Sequence, residues 1–142
     1  MNNVEQMLAQ HGKYIASPQG ISMRPMLRQG RDTVLLVPPE RELRRGDVIL
    51  YRRPSGKLVL HRIVRAEKDG YLLGADNLAH REKGVQRDWV IGVMRGFYRD
   101  EKYIAATAFG YRVYWHLMLW THLLRAPFMA LRERRMRRGK GA

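Results

Sequence analysis

A change of hydrophobic period beyond Met94 limits the fold more than any other feature of this chain. Up to that point apolar residues come in short β-branched runs, each stopped by glycine or proline. From Tyr103 to Leu131 they form a long helix-compatible stretch with only Gly110 and Pro127 as breakers. Asp47–Arg52 and Leu58–Val64, joined by Arg53-Pro54-Ser55-Gly56-Lys57, make the clearest predicted hairpin. Thr33–Val37 reads as a strand stopped by Pro38-Pro39, and Tyr71–Gly74 and Trp89–Met94 supply further strands. Met1 to about Lys13 reads as a helix, with Val4, Met7 and Leu8 at helical spacing. The expectation is a mainly β, coiled and barrel-like domain, followed by an α-helical segment that is first hydrophobic and then basic.

Composition narrows the chemistry. With 142 residues the chain is large enough for a single core. It has no cysteine, so disulfides, thiol catalysis and cysteine metal sites are excluded. Its five histidines show no paired metal-ligand spacing, and no phosphate-cradling glycine motif occurs, so neither metal nor nucleotide cofactor is expected. A net charge of +14 calls for an anionic partner or location. Residues 1–20 lack the apolar run of a cleavable secretion signal.

The chemistry-bearing stretch is Gly20-Ile21-Ser22-Met23-Arg24-Pro25-Met26-Leu27, with His61-Arg62-Ile63-Val64 following later on a strand. Pro18, Gly20 and Pro25 hold Ser22 on a constrained turn, which exposes a hydroxyl in a fixed direction. A serine hydroxyl becomes a useful nucleophile only when a positioned base takes its proton, and neutral imidazole suits that task. These boxes, with Gly46-Asp47-Val48-Ile49-Leu50-Tyr51 between them and Gly74-Ala75-Asp76-Asn77 and Val90-Ile91-Gly92-Val93 after them, resemble in content and order the superfamily of type I signal peptidases and LexA-type self-cleaving repressors (the S24/S26 serine peptidases).

The resemblance covers about residues 15–95 and implies a division into an N-terminal helix (1–14), a peptidase domain (15–98) and a hydrophobic helix with a basic tail (99–142). It implies Ser22 as nucleophile and His61 as general base, within hydrogen-bond reach of each other, as in the branches of the superfamily whose base is histidine. Lys57, in the hairpin turn, is the only lysine placed to compete. Where many relatives carry a serine two positions before the nucleophile this chain has Gly20, so the oxyanion hole would rest on backbone N–H groups, that of Ser22 first. Gly20, Ile21 and Met23 would edge the substrate cleft. The box after Asn77 is degraded to Leu78-Ala79-His80-Arg81-Glu82, which leaves the base-orienting carboxylate open between Asp76 and Glu82. Arg62 is expected to pair with Asp47 or Asp76.

The implied activity is endoproteolysis of a leader or signal-like peptide, with activity rising across about pH 6–7.5 as the imidazole becomes neutral. Two other readings stay open: an inactive peptide-binding module, and a LexA-like self-cleaving regulator linked to nucleic acid. Against the second, residues 1–20 are too short for a helix-turn-helix and hold no Ala-Gly or Cys-Gly cleavage site. Trp115, Trp120 and Tyr114, followed by Arg132, Arg134, Arg135, Arg137, Arg138 and Lys140, predict attachment to an anionic membrane face, the cytoplasmic one. His116, His122 and Arg125 interrupt the apolar run, which favours lying in the interface over spanning. Nucleic acid is not the expected partner, and the sequence leaves oligomeric state open.

Overall fold

The computed structural model describes residues 3–140. Helix α1 (Asn3–His11) precedes strands β1 (Tyr14–Ala16), β2 (Asp32–Val37), β3 (Val48–Arg52), β4 (Leu58–Glu67), β5 (Gly70–Gly74), β6 (Arg81–Gln86), β7 (Val90–Arg99) and β8 (Lys102–Ala105). Helices α2 (Phe109–Trp120) and α3 (His122–Lys140) end the fold. Met1 and Asn2 of the predicted first helix, and Gly141 and Ala142 of the predicted tail, lie outside the described residues.

The strands form one antiparallel sheet in the order β1-β2-β7-β3-β4-β5-β6, with β8 added to β7. Register shifts at Leu35/Leu36, Leu50/Tyr51, Ile63/Arg65 and Tyr71/Leu73 bend it. Such bulges increase local twist and coil a sheet upon itself. As a result β3 is buried on both faces. Val48 and Leu50 enter a core with Leu8, Met23, Leu27, Phe97 and Tyr111, while Ile49 and Tyr51 enter a second with Ile63, Tyr71, Leu73 and Val85. The fold is thus mainly β with a C-terminal pair of helices, as the change of hydrophobic period predicts.

The β3–β4 hairpin forms where expected. Arg53 N–H donates to the Lys57 carbonyl at 2.9 Å, and Gly56 takes the left-handed φ of 87° that its turn needs.

The stretch from Tyr103 is not helical throughout. Tyr103, Ile104 and Ala105 lie in β8, which pairs with β7 through a tight turn at Asp100 and Glu101. Both turn residues have positive φ, 48° and 64°, a geometry usually filled by Asn or Gly. Nor do the expected breakers break. Gly110 sits in the first turn of α2 and Pro127 inside α3. The helices part instead at Thr121, whose hydroxyl donates to the Leu117 carbonyl at 2.6 Å. Proline removes one helical hydrogen bond, but α3 is held through Arg125, Met129, Arg132 and Glu133 on its inner face. Among the described residues no helix is long and apolar enough to cross a membrane.

Candidate active site

Ser22 sits in the turn between β1 and β2. The turn is closed from within by Arg24 N–H to the Ile21 carbonyl (3.1 Å) and Leu27 N–H to the Met23 carbonyl (3.0 Å). Met23 and Leu27 anchor it in the first core. From outside, Asn77 holds it twice: its backbone N–H donates to the Ser22 carbonyl and its side-chain amide to the Ile21 carbonyl, both at 2.9 Å. At the far end Asp32 accepts the Arg28 N–H at 2.9 Å and pairs with both Arg31 and Arg99, at 2.8 Å each. Burial alone would raise the Asp32 carboxyl, yet hydrogen bonds from Arg99, Arg31 and Arg28 hold it below the usual carboxylate range. Asp32 thus fixes the serine turn. Nothing in the sequence singled it out, because an aspartate opening a strand is ordinary turn chemistry.

His61 stands on β4 opposite Ile49, across one wall of a cleft of about 860 Å³. Ser22, Gly20, Ile21 and Met23 line the same cleft, as does exposed Lys57. The two elements thus bring the predicted nucleophile and base to one cavity. No hydrogen bond joins them, and the Ser22 backbone N–H has no partner among the described residues. Of the predicted cleft residues, Met23 borders the cleft from the core side, its side chain almost wholly buried.

Burial drives the His61 imidazole down to about 4, against an upward pull from Glu82. The ring is therefore neutral through the physiological range. Its Nδ1 lies 3.3 Å from the Tyr51 hydroxyl, which lies 2.5 Å from the Glu82 carboxylate. A carboxylate only accepts, so the tyrosine proton goes to Glu82 and the tyrosine oxygen accepts from Nδ1–H. That selects the tautomer with a free lone pair on Nε2. Arg53 completes the chain, donating to both Glu82 oxygens at 3.1 and 2.7 Å. Burial would raise the Glu82 carboxyl, but hydrogen bonds from Arg53 and Tyr51 lower it, so it stays ionised. Tyr51 is pushed the other way, upward, by burial and by Glu82.

Of the two candidate orienting carboxylates, Glu82 reaches His61 through Tyr51, and Asp76 makes no hydrogen bond to it. Asp76 forms a buried bidentate pair with Arg62, Nε to Oδ1 and Nη2 to Oδ2, both 2.8 Å. It also accepts the Tyr114 hydroxyl at 2.9 Å. Of the two partners expected for Arg62, Asp76 is the one found; Asp47 pairs with Arg41 at 2.8 Å. Arg62 is 1% exposed, and its remaining donor reaches the Gly46 carbonyl and the Tyr111 hydroxyl, both at 2.9 Å. Tyr51 was legible only as a strand residue. The signal for its role is register: Ile49 pairs with His61 and Tyr51 with Val59, which puts all four side chains on one face.

The C-terminal helices brace the turn that braces Ser22. Arg132 donates to the Asn77 carbonyl and to its side-chain oxygen, both at 2.7 Å. Glu133 accepts the Ala79 N–H at 2.7 Å, and Arg125 donates to the Asp76 carbonyl at 3.3 Å. Hydrogen bonds therefore run from α3 through residues 76–79 to the serine turn.

No curated protein and no solved structure matches the chain. A family model described as Peptidase S24-like matches residues 3–95, from α1 to the middle of β7. That match takes in the serine turn, the His61 strand, Tyr51 and Glu82 together, and spans well over half of the sequence; the chain belongs to the Peptidase S24-like family.

Proposed function

We propose that this chain is a serine endopeptidase in which Ser22 and His61 form the catalytic dyad and Tyr51 and Glu82 position the base. The observation that carries the reading is the shared cleft, which is lined both by a serine on a doubly anchored turn and by a neutral imidazole of defined tautomer. Ser22 Oγ bonds to the scissile carbonyl carbon while its proton passes to His61 Nε2. The oxygen of the tetrahedral intermediate takes the negative charge, beside the Ser22 N–H, which has no partner among the described residues. The C–N bond then breaks as the imidazolium returns the proton to the leaving amine, and water hydrolyses the acyl-enzyme by the same path in reverse order. Hydrogen bonds between such groups commonly tighten only once substrate is bound. Positive charge arising on His61 is stabilised by ionised Glu82 through Tyr51.

The substrate in this reading is an extended leader or signal-like peptide, entering the cleft past Gly20 and Ile21. Gly20 takes a φ of 69°, and among the described residues no heavy atom beyond its chain neighbours lies within 4 Å of the position a Cβ would take, which leaves room for a peptide backbone. An inactive peptide-binding module is the competing reading, and the diversion of Asp76 to Arg62 speaks for it.

Comparing peptide N-termini in cells carrying the wild type and Ser22→Ala separates the two. The dyad requires that a set of N-termini vanish in the variant. Purified Ser22→Ala and His61→Ala should each lose about four to six orders of magnitude in kcat, and the double variant should be no worse than either alone. Cleavage that persists in Ser22→Ala would leave only the binding role.

A further inference from the structure

We propose that the outer face of α2 and α3 is a docking surface for an anionic lipid bilayer, with both helices lying in the plane of the interface. The inference stands whether or not Ser22 is a nucleophile.

On α2, Phe109, Val113, Leu117 and Trp120 fall within an arc of about 80° at about 100° per residue. All are exposed, Phe109 by 83% and Trp120 by 75%. On α3, Leu124, Phe128 and Leu131 occupy an arc of similar width, with Phe128 76% exposed. The same face of α3 continues into Arg135 and Arg138, so apolar residues and cations share one side of one helix. Exposed Arg112 and His116 border the apolar row on α2. The opposite faces are committed to the protein: Tyr111 and Met129 are buried, while Tyr114, Arg125 and Glu133 are hydrogen-bonded to the 76–79 turn.

The charge pattern selects the occupant. A second copy would bring another +14 against the same basic helix. A nucleic-acid backbone would satisfy the arginines and leave Phe109, Trp120 and Phe128 against phosphate or water. An anionic bilayer takes both, with aromatic rings at the headgroup boundary and arginines on the lipid charges. With no helix among the described residues long and apolar enough to cross, the row favours an in-plane arrangement.

Vesicle co-sedimentation of the full chain tests this, with phosphatidylcholine alone against phosphatidylcholine carrying one third phosphatidylglycerol. Binding should be strong only with the anionic lipid and should weaken as the Debye length shrinks from about 10 Å at 0.1 M salt to about 3 Å at 1 M. Trp120→Ala with Phe128→Ala should weaken it at least about tenfold with circular dichroism unchanged, since both side chains are exposed. Arg135→Glu with Arg138→Glu should weaken it by about thirtyfold or more, at about fivefold per basic residue near an anionic surface. Absence of vesicle binding, or binding indifferent to the Trp120 and Phe128 substitutions, would overturn the proposal. So would a soluble dimer in sedimentation velocity that those substitutions dissociate, because the row would then belong to a second copy.

Discussion

Replacing Tyr51 by Phe removes a single oxygen from the path between Glu82 and His61. The ring stays in a fully buried position, packed in the second core, so shape and apolar contacts are kept. Glu82 keeps both bonds from Arg53, and its side chain is 20% exposed, so water can replace the lost donor. The resting protein should therefore lose only about 1 kcal/mol of stability, the net worth of an ordinary hydrogen bond. The transition state loses more, because imidazolium forms there with nothing on Nδ1. A hydrogen bond to a charged group contributes about 1.5–3 kcal/mol, so kcat should fall about 10- to 150-fold. Tyr51 does not line the cleft, so KM should hold. Steady-state kinetics on a peptide the wild type cleaves, with circular dichroism as a check on folding, measures both parameters. Glu82→Gln makes the companion case: its charge raises the His61 pKa, so removing it should move the acid limb of the pH profile further down. A Tyr51→Phe enzyme within twofold of wild-type kcat, or one changed only in KM, would show that Tyr51 does not serve the base.

Two further outcomes follow from buried charge. A base must be unprotonated to act, and burial holds His61 near 4, so kcat/KM should rise around pH 4 and stay level from about pH 5 through neutrality. This displaces the pH 6–7.5 rise expected of an ordinary imidazole, and a profile that did climb through that range would contradict the burial. Arg62→Met leaves Asp76 buried with its main partner gone and should cost about 3–5 kcal/mol in urea unfolding, while adding Asp76→Leu should restore part of it. A loss below about 1 kcal/mol for the single variant would mean the pair is not structural.

What could be read from the chain follows its local signals. The β3–β4 hairpin was legible because a Pro54–Gly56 turn separates two short apolar, β-branched runs. β6 was not, since Arg-Glu-Lys-Gly-Val-Gln buries only Val85 and shows no apolar alternation. β8 was missed because Asp100 and Glu101 adopt positive φ without the glycine or asparagine that announces it. The Ser22 and His61 positions were visible as boxes, but their supports are non-local. Asp76 and Glu82 are both acidic residues downstream of His61, and only the folded sheet decides that Arg62 claims one and Tyr51 reaches the other. Pro127 does not end α3 because the contacts that Arg125, Arg132 and Glu133 make with residues 76–79 outweigh helix propensity there.

Arg62 and Asp76 both lie within residues 3–95, but the hydroxyls that complete their hydrogen bonding belong to Tyr111 and Tyr114 on α2. Without α2, Arg62 on β4 and Asp76 after β5 would lack those two hydroxyl partners. Strand and helix should therefore share part of their stability. Amide protons of β4 and of α2 should exchange through the same cooperative opening, and the chain should acquire its sheet and its C-terminal helix in one event.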